Sequence, residues 1–175
     1  VVEIQDVLVT ALDRADEDSR RQLLEAICEQ RGVREIADAL LEFEPSALAS
    51  SLIGGLQWND VAGPLTLSRL RGQHLDSSTT ALPPCPNLMF MRDPCFSVRD
   101  RVVVSRMATP ARIIESWLVA FAIEHSGLCG TGTLLFDQYD LERNQAYRSL
   151  EGGDVLVLSP EVLMIGCSER TSAQT

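Results

Sequence analysis

No apolar run in this sequence is long enough to span a membrane, and no signal peptide opens it. Positive charge is scarce: 15 basic residues stand against 25 acidic ones, for a formal net charge of −10. That balance argues against a nucleic-acid partner, because phosphate binding needs a basic surface. A small cationic ligand suits the balance better, although overall charge does not define a site. The five cysteines have neither the spacing of a zinc site nor that of a disulfide framework. Reduced thiols and a cytoplasmic location are therefore expected, with no metal and no membrane partner. Low-complexity segments are also missing.

What is present is 175 residues, 45% of them hydrophobic, enough for one domain with a real core. The chain opens on the strand-like "VVEI" and stops at "SAQT", where a helix is expected to start. It reads as a piece of a longer protein. Residues 6 to about 70 carry helical periodicity. Leu23, Leu24, Ile27 and Cys28 make one face, and Gly32 is the stop. Val33, Ile36, Ala37, Leu40 and Leu41 make a second face, ended by Pro45. Ser46 is expected to cap "ALASSLI", closed by Gly54 and Gly55. Short amphipathic helices of this kind pack together as a bundle.

The stretch "RGQHLDSSTTALPPCP" (71–86) is loop-like and marks the best boundary. Beyond it the period changes. "NLMFM", "CFSV", "RVVVSRM" and "TLLF" read as strands, with a break at Asp93-Pro94. Thr109-Pro110 starts a helix whose buried face is Ile113, Ile114, Trp117, Leu118 and Phe121. "GDVLVLS" and "VLMIG" form a hairpin of buried strands around Ser159-Pro160-Glu161, and Ser168 caps a new helix. The fold class expected is α/β. Its divisions are a strand at 1–5, a helical bundle at 6–75, an α/β module at 84–148 and the start of another at 149–175.

Several charges sit awkwardly. Asp93 lies between two apolar strands, and Glu151 precedes Gly-Gly beside another. Each is either an exposed turn acid or a buried carboxylate with a cationic partner, because burying one alone is expensive. Arg112 and Arg170 both fall near expected helix starts, where acids are favoured. Glu115, one turn after Arg112, is a simple neutralising partner. An anion such as a carboxylate is the other reading of two arginines at helix starts. Together these positions fit a ligand with a cationic head and a carboxylate tail.

Four motifs then make a resemblance specific. "PNLMFMRDPC", "ARIIE", "LEGGD" and "IGCSERTS" occur in this order, behind a helical insert. The sequence resembles the arginine deiminase family, of the guanidino-group-modifying superfamily, over most of its length. The resemblance implies a five-bladed α/β propeller and cofactor-free hydrolysis of L-arginine to L-citrulline and ammonia. It implies that Asp93 and Glu151 grip the guanidinium. Asn87, Arg112 and Arg170 would hold the α-carboxylate end, Phe90 would pack on the substrate, and Asp154 would be a supporting acid. Met89 and Met91 depart from the family's common aromatic and threonine without touching those positions. Amidinotransferases and methylarginine hydrolases share the acid and SxRT-like elements, and a non-catalytic arginine-binding relative would keep the acids alone.

The family's nucleophilic cysteine and its His-x-Asp histidine lie beyond the motifs present here. The 175 residues alone are therefore expected to be inactive. Cys28, Cys85, Cys95 and Cys129 read as structural. Cys167 is the best local rival, because a following helix start would lower its pKa. His74 and His125 read as surface residues. A homo-oligomer is expected, and a cut propeller would also self-associate through bare strand edges.

Overall fold

The computed structural model describes residues 2–61, 80–129 and 149–173. Helix α1 is Ile4–Arg14, α2 Glu17–Arg31, α3 Ala37–Leu41 and α4 Pro45–Gly54. Strand β1 is Leu56–Gln57, β2 Thr80–Leu82, β3 Cys95–Val98 and β4 Arg101–Val104. Helix α5 is Ile113–Ser126, followed by β5 Val155–Ser159 and β6 Val162–Ile165. The described strands pair as three antiparallel two-stranded sheets, β1–β2, β3–β4 and β5–β6. No helix among the described residues is long and apolar enough to cross a membrane.

The helical reading of the first third holds in kind. Asp16 caps α2 by accepting the Ser19 N–H at 2.7 Å, and Gly32 ends it at φ 72°, a left-handed conformation that glycine adopts without strain. Other expectations change. Residues 2–3 are not a strand: Glu3 is extended and α1 begins at Ile4. Helix α4 begins at Pro45 behind an extended Glu44, so Ser46 is inside the helix rather than its cap. The stretch expected as one helix over "VREIADALLEF" is a 3-10 turn, Arg34–Ile36, leading into the short α3.

Helix α5 is hydrophobic nearly all round and is buried accordingly. It packs directly against α1. Leu8 and Leu12 of α1, Leu23 and Leu24 of α2, Leu48 of α4, and Leu118 and Phe121 of α5 belong to one continuous core. The core therefore runs across the boundary read at 71–86. A bundle sealed off at residue 75 is not what forms, because α5 supplies the apolar face that α1 needs. Strand β1, inside the expected bundle, pairs with β2. Residues 71–79 of the boundary, His74 and the strand expected at 133–136 lie outside the described residues.

"NLMFM" is not a strand. Pro86 opens a 3-10 turn, Pro86–Met89, and Met91–Pro94 is a turn leading into β3. Thr109 and Pro110 do start a helix, first as a 3-10 turn through Arg112, but the Thr109 side chain makes no capping bond. The hairpin β5–β6 forms where expected. It is not buried: only Val155 is, while Leu156, Val157, Leu158, Val162, Leu163, Met164 and Ile165 are each 42–55% exposed. The helix expected after Ser168 is absent through Ala173, where the chain is bends and a turn.

Candidate functional site

The turn before β3 and the segment before β5 meet through their backbones. The Gly152 N–H is shared between the Asp93 carbonyl and Ser105 Oγ, both at 3.1 Å. Arg106 and Leu150 bridge antiparallel, donating to each other at 3.0 and 2.9 Å. Arg92 reaches over to donate to the carbonyls of Gly152 (3.3 Å) and Val155 (2.6 Å). These contacts bring Asp93 and Glu151 side by side although 58 positions separate them.

Below them lies Arg112, buried at the start of α5. Its Nη1 donates to Asp93 Oδ2 at 2.9 Å and stands 3.8 Å from Glu151 Oε2. Its Nε and Nη2 meet Glu115 Oε2 at 2.9 and 2.8 Å. Nη2 also donates to the Asn87 carbonyl at 3.4 Å. Burial by itself would lower the pKa of Arg112, but the bonds to Glu115 and Asp93 outweigh it and hold the guanidinium above its usual value. Burial pushes the Glu115 carboxyl up, partly offset by Arg112, with Asp93 and Glu151 adding to the rise.

Glu151 is 1% exposed. Its Oε1 accepts the Ala108 N–H at 3.2 Å, and its own N–H donates to Thr171 Oγ1 at 3.2 Å. Its Oε2 is buried and has no hydrogen bond. The nearest cations are Arg112 Nη1 and, at 3.6 Å, Nη1 of Arg170, too long for hydrogen bonds. A buried carboxylate oxygen without a hydrogen bond is costly, and a cationic donor would relieve that cost.

Glu151 lines an open cavity of ≈ 470 Å³, within the about 300–1,000 Å³ of small-molecule sites. Asp93, Glu151, Asp154 and Glu169 line it with Gly153, Ser168 and Arg170. Four acids to one arginine favour a cation. Asp154 accepts from Ser168 Oγ at 2.7 Å, and bonding from Thr171 and Ser168 holds its carboxyl below the usual carboxylate range. Ser168 also accepts the Arg170 N–H at 3.0 Å. Arg170, its side chain 61% exposed, therefore sits at the rim on a serine turn, not at a helix start.

The residues named from the sequence are gathered unequally. Asp93, Glu151, Asp154 and Arg170 line the cavity. Arg112 lies behind it, engaged with Asp93 and Glu115. Asn87 contributes its carbonyl to Arg112, and Phe90, a residue 55% exposed, accepts the Asp93 N–H at 3.0 Å through its carbonyl. Neither is among the described lining residues. Sequence reasoning missed Ser105, Thr171 and the Ala108 N–H, whose roles depend on the Arg106–Leu150 crossing and leave no local signal. Glu115 did leave one, its i,i+3 spacing from Arg112.

The cysteines stand apart. Burial pushes Cys28 up to about 12 and raises Cys85 and Cys95. Cys167 is exposed, and no helix follows it through Ala173. Among the described residues no cysteine or histidine lines the cavity. His125 is half-buried against the Phe121 ring, at a centroid distance of 4.4 Å, rather than fully at the surface.

What the fold and the site define is a mixed α/β chain with a carboxylate-lined cavity seated on a buried arginine–carboxylate network. That chain belongs to the arginine deiminase family, whose model "Arginine deiminase" matches residues 1–175. It is 30% identical over 182 residues to the arginine deiminase of Mycolicibacterium gilvum, covering 98% of this chain and 42% of that protein. It is 31% identical over 144 residues to that of Listeria monocytogenes serotype 4a, covering 79% and 33%. The arginine deiminase of Bacillus cereus is 32% identical over 145 residues, covering 79% and 33%. The chain thus spans well under half the length of these relatives.

Proposed function

We propose that the whole protein hydrolyses L-arginine to L-citrulline and ammonia, and that this chain supplies the part that grips the substrate. The observation that carries the reading is Glu151, which lines one cavity with Asp93 and whose buried Oε2 lacks a hydrogen bond. A planar guanidinium offers paired N–H donors that match two carboxylates. Asp93 and Glu151 hold it in plane and keep it protonated, so that its central carbon is presented for attack. Arg170 at the rim takes the α-carboxylate, with Asn87 and Arg112 supporting that end. Phe90 packs on the substrate, and Asp154 orders the Ser168–Arg170 turn through its bond from Ser168.

The chemistry that follows needs a cysteine thiolate and a histidine from outside this sequence, within the five-bladed propeller of the family. The thiolate adds to the guanidinium carbon. Ammonia leaves with a proton from the histidine, and an amidino-thioether remains. Water, deprotonated by the same histidine, then displaces the thiolate and leaves citrulline. The 175 residues alone form no citrulline on this reading.

The test uses the full-length protein, arginine and a citrulline assay. Wild type is expected to turn over arginine and to leave methylated arginine and amidino acceptors unused. Asp93→Asn is expected to abolish turnover while the fold stays intact by circular dichroism. Arg170→Ala is expected to act mainly on KM. Most of the wild-type rate in Asp93→Asn, or an unchanged arginine affinity in Arg170→Ala, would remove those residues from the proposed roles.

A further inference from the structure

Thr171 does not line the cavity, yet it is buried, 1% exposed, between the two stretches that do. Its Oγ1 accepts the Glu151 N–H at 3.2 Å, and its hydroxyl bonds in turn to the Asp154 carboxylate. A hydroxyl can accept one bond and donate the other. The Thr171 carbonyl accepts the Ser168 N–H at 3.0 Å. Asp154 also accepts from Ser168 Oγ at 2.7 Å, and Ser168 Oγ accepts the Arg170 N–H at 3.0 Å. The chain that leaves at Glu151, runs through the β5–β6 hairpin and returns at Arg170 is thus tied together at its base by Thr171. Arg170 Nη1 stands 3.6 Å from Glu151 Oε2 on a long, exposed side chain, so what the tie fixes is the spacing of the two backbones.

We propose that Thr171 is a positioning residue that sets the chain length of the substrate, by holding the Glu151 and Arg170 backbones at one spacing. The proposal rests on the arginine reading above, in which Glu151 takes the guanidinium and Arg170 the α-carboxylate. A ligand gripped at both ends matches one number of methylenes between them. One methylene more or less moves one end by about an ångström, and a misplacement of that size costs up to about 100-fold in rate. The Ser172 N–H donates to the Ser149 carbonyl at 2.9 Å and keeps the base of the hairpin closed without the hydroxyl. The Thr171 hydroxyl adds the finer setting, where Glu151 lies against the Ser168–Arg170 turn.

The test uses the full-length protein with arginine, homoarginine (one methylene longer) and norarginine (one shorter), read by kcat/KM and calorimetric Kd. Wild type is expected to prefer arginine over both homologues by at least about 10-fold. Thr171→Val, which keeps the shape and removes the hydroxyl, is expected to lower kcat/KM for arginine by about 10-fold or more and to change it for the homologues by less than about 3-fold. The preference for arginine then shrinks. Thr171→Ser keeps the hydroxyl and is expected to keep the preference. If Thr171→Val does not fold, Ser168→Ala loosens the same tie from its exposed end and takes its place, with the same expected direction. An equal loss for all three ligands overturns the proposal, because a merely structural residue would produce it. An unchanged preference, a wild type without one, or a Thr171→Ser that behaves like Thr171→Val overturns it too. Wild type that binds arginine without forming citrulline would sink the functional reading alone, and the Kd ratios of the three ligands would still decide the role of Thr171. Wild type that binds no arginine sinks both.

Discussion

Two adjacent glycines, Gly152 and Gly153, should respond to the same substitution in opposite ways. Gly152 is buried where the Glu151 segment crosses the turn before β3. A Cβ there would overlap the Arg92 carbonyl oxygen and come within 2.9 Å of Phe96 Cδ1. The carbonyl is backbone, and the Arg92 side chain is itself tied to the Gly152 and Val155 carbonyls, so it has little room to retreat. Overpacking of this kind costs about 1–3 kcal/mol. Separating the two segments also strains the Gly152 N–H bonds to Asp93 and Ser105, worth about 1 kcal/mol. Gly152→Ala is therefore expected to cost about 3 kcal/mol, a fall in Tm of about 6–12 °C for a chain of this size.

A Cβ on Gly153 meets a different obstacle: Asp93 Oδ1, the free end of a side chain, at 2.7 Å. Gly153 is exposed and its φ is not positive, so alanine fits the backbone. The carboxylate swings instead. Stability should stay within about 1 kcal/mol, while displacement of a gripping group by an ångström lowers kcat/KM by up to about 100-fold. The assays are differential scanning calorimetry on both variants and citrulline formation by the full-length protein. A Gly152→Ala variant melting within about 2 °C of wild type would refute the crossing geometry. An unchanged kcat/KM in Gly153→Ala would refute the placement of Asp93.

Two further outcomes are expected. Under native conditions at pH 8, a thiol reagent should modify exposed Cys167 first and spare Cys28, whose burial pushes its thiol up to about 12, until urea is added; Cys167→Ser should remove the fast phase without touching citrulline formation. The bare hairpin should make the 175-residue chain associate with rising concentration in sedimentation velocity. Leu156 and Met164 are cross-strand partners on one face, so changing both to serine should lower the association; an unchanged sedimentation profile would place the contact elsewhere.

Local patterns carried much of the fold. The heptad-like spacing of Leu23, Leu24 and Ile27, the Gly32 stop and the proline at 110 act within one or two turns of chain, and the elements they specify are where they were read. The hairpin at 155–165 was legible for the same reason, from two apolar runs around Ser-Pro-Glu. Where local rules misled, the partner was remote or missing. The strand-like "VVEI" joins a helix because α1 has α5 to pack on. "NLMFM" turns because Pro86 sets its backbone. The serine turn at 168 replaces a helix start because Ser168 bonds to Asp154 and to the Arg170 N–H.

The site divides along the same line. Residue type and motif order alone determined that acids and arginines in motifs like those of the arginine deiminase family are present at Asp93, Arg112, Glu151 and Arg170. Only the tertiary structure decided how they share charge. It buries Arg112 between Asp93 and Glu115, leaves Glu151 Oε2 without a hydrogen bond, and puts Arg170 at the rim. The reason is electrostatic. A carboxylate's partner is whichever cation the folded backbone brings within a few ångströms in a poorly solvated setting. The crossing of residues 149–152 over the β3–β4 unit joins positions as far apart in the chain as Asp93 and Gly152, and no local pattern records it.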